Sequence, residues 1–289
     1  MVRPDNVPEK TPDILTEQLR KAQALQVTGN WQGSVDAYTA LEQQFGADTH
    51  IFNGRGVAWR MLRNPAAAIA DFTQARDLAH SQNNQDEELT AEVGLIDAWR
   101  TANRNPTFNP WSDVQPENLQ ARLHQEAQVH MAAAEALMTK MPQPSLAKVN
   151  AYTNFGLLHN DMGNLPQGLN AYSEAESIVR GLVAADPQNA DFQNRLARTL
   201  TTKGVSQEGL GLLEGAVASQ KESLGIYETL GDLRGLGNAR LSLGDVLMKL
   251  NAPQEAQSYY HQAQTGAIKE GNIVDPEIHD LAVERLAKF

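Results

Sequence analysis

Three stretches of this chain hold residue types that ligate metals, bind phosphate or transfer protons elsewhere, and their spacing decides what each can do here. In HQEAQVH, His124 and His130 flank Glu126. A zinc-binding helix of the HExxH kind needs its two imidazoles four residues apart, one turn above the other on a single face. These are six apart and do not stack, so no metal site is expected. The GLGLLEG run at 209–215 is glycine-rich, yet no strand precedes it and no Lys-Ser/Thr follows, which excludes a phosphate loop. His159 and Asp161 share no motif with a nucleophile. Arg195 and Arg198 are different. Residues three apart on a helix share a face, so two guanidinium groups there can converge on one carboxylate. The same pair could instead bond Asp191 or Asp161 and hold neighbouring hairpins in register. A binding role is expected, with no catalytic residue and no cofactor.

The elements that must position such residues are helices in hairpins. Four times, a small residue is followed after twelve positions by another, four later by an aromatic and three later by an apolar residue. The quartets are Ala22, Ser34, Tyr38, Leu41; Gly56, Ala68, Phe72, Ala75; Gly156, Gly168, Tyr172, Ala175; and Gly244, Ala256, Tyr260, Ala263. Small residues let two helices touch, and a ring on the next turn fills the gap between hairpins. Thr11-Pro12-Asp13 reads as an N-cap and first turn, opening a helix to Val27. Turns at Gly29-Asn30, Asn64-Pro65, Gly163-Asn164 and Asn251 let an asparagine cap each second helix, with a proline fixing its first turn in the last three.

The spacing predicts a single array over 1–289, with hairpins near 12–46, 49–81, 86–140, 145–184, 187–230 and 233–270 and a capping helix at 275–288. The third hairpin is interrupted by a Pro-rich insertion at 104–116 carrying Phe108 and Trp111, expected to fold back as a cover. In the fifth, the first helix is expected to end at Lys203 with Gly204 as the turn. A long second helix follows, with Ala216, Gln220 and Ser223 on one stripe and a kink or break near Gly209–Gly215.

These residues resemble the tetratricopeptide repeat family, whose consensus runs Trp-x2-Leu-Gly-x2-Tyr and then Ala-x3-Phe-x2-Ala. YTNFGLLHNDMGNLPQGLNAYSEA, Tyr152–Ala175, is the nearest copy, with Phe155-Gly156 for Leu-Gly and Tyr172 for the second aromatic. Ala22 departs from the glycine, and Gly168 from the alanine. The resemblance implies an all-α solenoid of helical hairpins in a right-handed superhelix, whose first helices line a concave groove. Registered on the shared glycine, that groove receives Asn53, Val57 and Arg60, then Asn150, Asn154, Leu157 and Asp161. With Ala197 as the glycine equivalent it receives Asn194, Arg195, Arg198 and Thr201, and the last hairpin adds Asn238, Ser242, Asp245 and Lys249. An amide offers donor and acceptor together, which suits the backbone of an extended peptide. The lysine–asparagine clamp of the family's cochaperones is absent from the first hairpin, where Leu19 and Gln23 stand. The groove asparagines are closer to those of bacterial peptide-pheromone receptors, which usually carry an N-terminal DNA-binding or effector domain; with about a dozen residues before the first repeat helix, a transcription factor of that type is not expected.

Composition narrows the partner. Net charge is −11, from 24 basic and 35 acidic residues, against the cationic surface that nucleic acid requires. Cysteine is absent, so disulfides and thiolate metal sites are excluded. No apolar run reaches the roughly 18 residues of a membrane span, and MVRPDNVPEKTPD has no apolar signal segment, so a cytoplasmic location is expected. The expected function is a non-enzymatic scaffold for a protein or peptide. The alternative is a regulatory sensor whose superhelix responds to a small peptide.

Overall fold

Seven of the turns between helices use the same device: a residue in the left-handed region, then one capping residue, then a new helix. Gly29 (φ 76°) and Gly163 (φ 79°) take that conformation without steric cost, while Arg63, Asn83 and Asn251 adopt it with a side chain present. The computed structural model describes residues 12–289 except 106, 112, 270, 271 and 274. Thr11, the expected first cap, lies outside the described residues. The chain divides into two compact units at Met141, within the MPQPS segment where the sequence breaks its long alanine-rich helix.

The first unit contains α1 (Pro12–Val27), α2 (Trp31–Phe45), α3 (Thr49–Met61), α4 (Pro65–Ser81), α5 (Gln85–Thr101) and α6 (Pro116–Met138), with a short 3-10 turn at Ala102–Arg104. The second contains α7 (Leu146–Asp161), α8 (Leu165–Ala185), α9 (Ala190–Gly209), α10 (Leu213–Leu230), α11 (Leu233–Lys249), α12 (Pro253–Gly266) and α13 (Pro276–Leu286). A two-residue antiparallel pair, Ile268–Lys269 with Asn272–Ile273, joins α12 to α13. Everything else regular among the described residues is helical, so the protein is an all-α array of hairpins.

The glycine–ring quartets are contacts. A Cβ on Gly156 would lie 2.5 Å from Tyr172 Cε1, and one on Gly56 would lie 2.9 Å from Phe72 Cε1. Gly244 meets Tyr260 in the same way, and Phe72 also closes against Gly94 of the next hairpin. Tyr172 is fully buried and Phe72 nearly so; each ring contributes roughly 1.5–3 kcal/mol by leaving water. Gly168 departs from alanine because the Asn160 amide occupies the space its Cβ would fill.

Two expectations are corrected in the fifth hairpin. Helix α9 does not end at Lys203 but runs through Gly204 to Gly209, and the turn is made at Gly211 (φ 75°). Gly204 is instead the contact residue: its Cβ would lie 2.6 Å from Gln220 Nε2, so Gly204, Ala216, Gln220 and Ser223 form a fifth quartet with an amide in place of the ring. The glycine equivalent is therefore Gly204 and not Ala197. The shift is seven residues, which turns the helix by only about 20° but moves the register about 10 Å along it. Caps differ too. Asn30 and Asn64 accept from Gly33 and Ala67 backbone N–H groups, whereas Asn164 makes no such bond and Asn251 lies one residue before the cap.

Candidate functional site

In the second unit the first helices of successive hairpins pack side by side, α7 on α9 and α9 on α11. The second helices α8 and α10 approach through long side chains, as where Arg180 reaches Glu222 at 2.8 Å. Helices crowded on one side and spread on the other make the first-helix side concave, which is the face the resemblance implies for ligands.

Corrected registration places Asn150, Arg198 and Asn238 at one equivalent position, six residues before Gly156, Gly204 and Gly244. Asn154, Thr202 and Ser242 form a second row, two residues before those glycines. Arg198 and Asn238 are exposed and Asn150 is half-buried. Neither the Asn150 side chain nor the Arg198 guanidinium has a partner among the described residues, and Asn238 gives its amide only to Arg234 O on its own helix. Asn154 likewise donates to Asn150 O at 3.0 Å.

Arg195 lies half-buried on α9, one turn before Arg198. Burial and the neighbouring Arg198 charge push its guanidinium down to about 10, with Asp191 and Tyr227 opposing at longer range. The expected alternative pairing is not formed: no carboxylate of the described residues lies within 4.0 Å of either arginine. Beside them, Asp232 caps α11, accepting from Gly235 N at 2.9 Å through one oxygen and from Asn194 Nδ2 at 3.0 Å through the other. Tyr227, buried on α10, has its phenol pushed up to about 12, chiefly by desolvation. Neither Tyr227 nor Asp232 stands out by spacing; only the packing brings them to this site.

Other expected groove residues are committed within the fold. Asp245 accepts from Arg285 Nε at 2.7 Å and Nη2 at 2.8 Å, and from Tyr260 Oη at 2.8 Å, tying α13 to α11. Lys249 Nζ lies 2.9 Å from Glu208. Thr201 bonds Ala197 O and Ser223 Oγ. Leu157 is half-buried and Asp161 exposed.

In the first unit Asn53 is buried and donates to Glu87 at 3.0 Å, the counterpart of Asn194 with Asp232. Arg60 holds Asp97 at 3.0 Å, with Arg100 on the other carboxylate oxygen at 2.6 Å. Burial would raise the Asp97 carboxyl, but these guanidinium groups hold it below its usual range. Val57 packs beside Trp59 and Trp99 around Phe72. Three glutamates of α5 each face a histidine from another helix: Glu87 faces His50, Glu88 faces His80 and Glu92 faces His130. His124 is buried against Gln120 on its own helix, apart from the His130 contact. No group of three metal-ligating side chains converges among the described residues. The insertion folds back, with Trp111 stacked on Trp99 at 5.5 Å, Phe108 at 6.2 Å and Arg122 over Trp111. Phe108 and Trp111 remain half-buried.

No protein-family model matches the chain, and no curated protein sequence matches it. Among solved structures it is similar to BtubC (BKLC) from P. vanneervenii, with a TM-score of 0.58, 14% identity and 91% of each chain covered. A Rap protein complexed with competence and sporulation factor aligns with a TM-score of 0.61 at 12% identity, over 94% of this chain and 73% of that one. A signal transduction ATPase with a tetratricopeptide repeat sensor, from Pyrococcus horikoshii, aligns at 0.64 and 11% identity, over 88% of this chain and 34% of that one. At such identities the likeness is one of fold, and the fold is that of tetratricopeptide repeats. No helix among the described residues is long and apolar enough to cross a membrane.

Proposed function

We propose that the protein is a non-enzymatic scaffold that binds a peptide or protein segment along the first-helix face of its second unit. The observation that carries this reading is the row Asn150, Arg198 and Asn238. Three successive hairpins place a polar side chain at one register position, and among the described residues none of the three is held by a carboxylate or by another hairpin. Polar groups that fold stability required would be bonded across hairpins, as Asn53, Asn194, Asp245 and Lys249 are. A repeated amide at helical-hairpin spacing suits an extended backbone, which offers a donor and an acceptor at each residue. Asn154 and Arg195 extend the same face. Asn53 and Arg60 act within the first unit by joining α3 to α5. The complex of the Rap protein with competence and sporulation factor supports the reading by analogy of fold alone.

Affinity capture from the native host tests it. The wild-type protein should retain a protein or peptide that the variant Asn150→Ala, Arg198→Ala, Asn238→Ala loses at unchanged helical content. Equal retention by the two would remove this face from the function.

A further inference from the structure

Every other arginine of the second unit holds a carboxylate: Arg180 on Glu176 and Glu222, Arg234 on Asp275, Arg240 on Glu228 and Arg285 on Asp245. Arg195 and Arg198 hold none among the described residues, in a chain with eleven more acidic than basic residues. A half-buried guanidinium without a counter-charge is costly, because burial removes the water that would solvate it. The nearby acids do not relieve it. Asp232, whose oxygens accept from Gly235 N and Asn194 Nδ2, lies within 4.0 Å of neither guanidinium, and Asp191 acts on Arg195 only at a distance.

We propose that Arg195 and Arg198 form an oxyanion site for a group carrying two negative charges. That chemistry is met by a phosphoryl monoester or by two neighbouring carboxylates, such as an acidic residue at a peptide C-terminus. Cβ atoms three apart on a helix are about 5–6 Å from each other. Two planar forks at that separation can take both faces of one dianion, or one carboxylate each. A single carboxylate neutralises one guanidinium and leaves the other as it is now. The site rests on the proposed first-helix face, and it names what a ligand on that face must carry.

The test is anion binding by the intact protein, read from the arginine Nε–Hε resonances. Inorganic phosphate and succinate are the dianionic probes, acetate is the monoanionic one, and a short peptide ending in aspartate and its phosphoserine analogue separate the two sources. Phosphate or succinate should shift the Arg195 resonance with an affinity at least tenfold above that of acetate. In Arg195→Gln with Arg198→Gln, which has no Arg195 resonance to follow, phosphate and succinate binding measured by calorimetry should be abolished. Arg198→Gln alone, at an exposed position, should weaken it at least tenfold if the double variant does not fold. Tighter binding of the phosphoserine peptide assigns the phosphoryl source, and tighter binding of the aspartate peptide assigns the carboxylate pair. Equal and weak response to all three small anions, or shifts that survive Arg198→Gln, overturns the site. Partner capture that persists in the double glutamine variant would overturn it while leaving the scaffold reading intact.

Discussion

A Cβ placed on Gly204 would lie 2.6 Å from Gln220 Nε2, so these residues meet as Gly156 and Tyr172 do, backbone against side chain across one hairpin. The two contacts differ in what can yield. Tyr172 is a rigid ring with no exposed surface, whereas Gln220, equally buried, can swing its amide aside at the loss of its hydrogen bond to Thr201 O. Gly156→Leu should therefore destabilise the protein by about 1–3 kcal/mol through overpacking, and Gly204→Ala by less. Urea midpoints measure both. An unchanged midpoint for Gly156→Leu would show that the repeat register is wrong.

The insertion should behave as a cover for the first unit. Trp111 stacks on Trp99, and Phe108 tilts against the same ring. Phe108→Ser with Trp111→Ser should cost about 1–3 kcal/mol, from two aromatic pairs at roughly 0.5–1.5 kcal/mol each, and leave partner binding unchanged. Loss of binding at unchanged stability would instead make the insertion part of the binding surface.

Much of this fold was legible in the sequence, and the misses have a common physical origin. Gly56, Gly156 and Gly244 announced their contacts because a ring sits at a fixed distance on the partner helix. Gly204 did not, because Gln220 replaced the ring, and its glycine then read as a turn. The face of the site survived that error since seven residues are nearly two full turns. What spacing could not supply was the partner of each polar side chain. Asp245 meets Arg285 forty residues later and Asn194 meets Asp232 thirty-eight later, so their commitment within the fold appears only after packing.

Glu176 gives the stability of the second unit a defined acid limb. Burial alone would raise its carboxyl, but hydrogen bonds and charges from Lys203 and Arg180 hold it below its ordinary 4.5. A carboxylate with a depressed folded-state pKa contributes stability above the unfolded value, and loses it as pH falls through the folded one. The urea midpoint should therefore fall between pH 5 and about pH 3, and Glu176→Gln should show a smaller fall over that window. An identical pH profile in the variant would contradict the assignment.

The capping helix should depend on Arg285. Its two-pronged contact with Asp245 is partly exposed, so Arg285→Ala should cost only roughly 1 kcal/mol globally. The larger effect should be local: faster amide hydrogen exchange across α13 than in α7 or α9. Uniform acceleration across the second unit would show that α13 does not open on its own.

The most direct measurement is site-specific photo-crosslinking in the native host. A photoreactive residue placed singly at Asn150, Arg198 or Asn238 should capture the same protein or peptide at all three positions. The same residue at Glu174 on α8 or Lys221 on α10, both exposed on second helices, should capture none of it. Capture at Glu174 or Lys221 with none along the first-helix row would contradict the binding face proposed here.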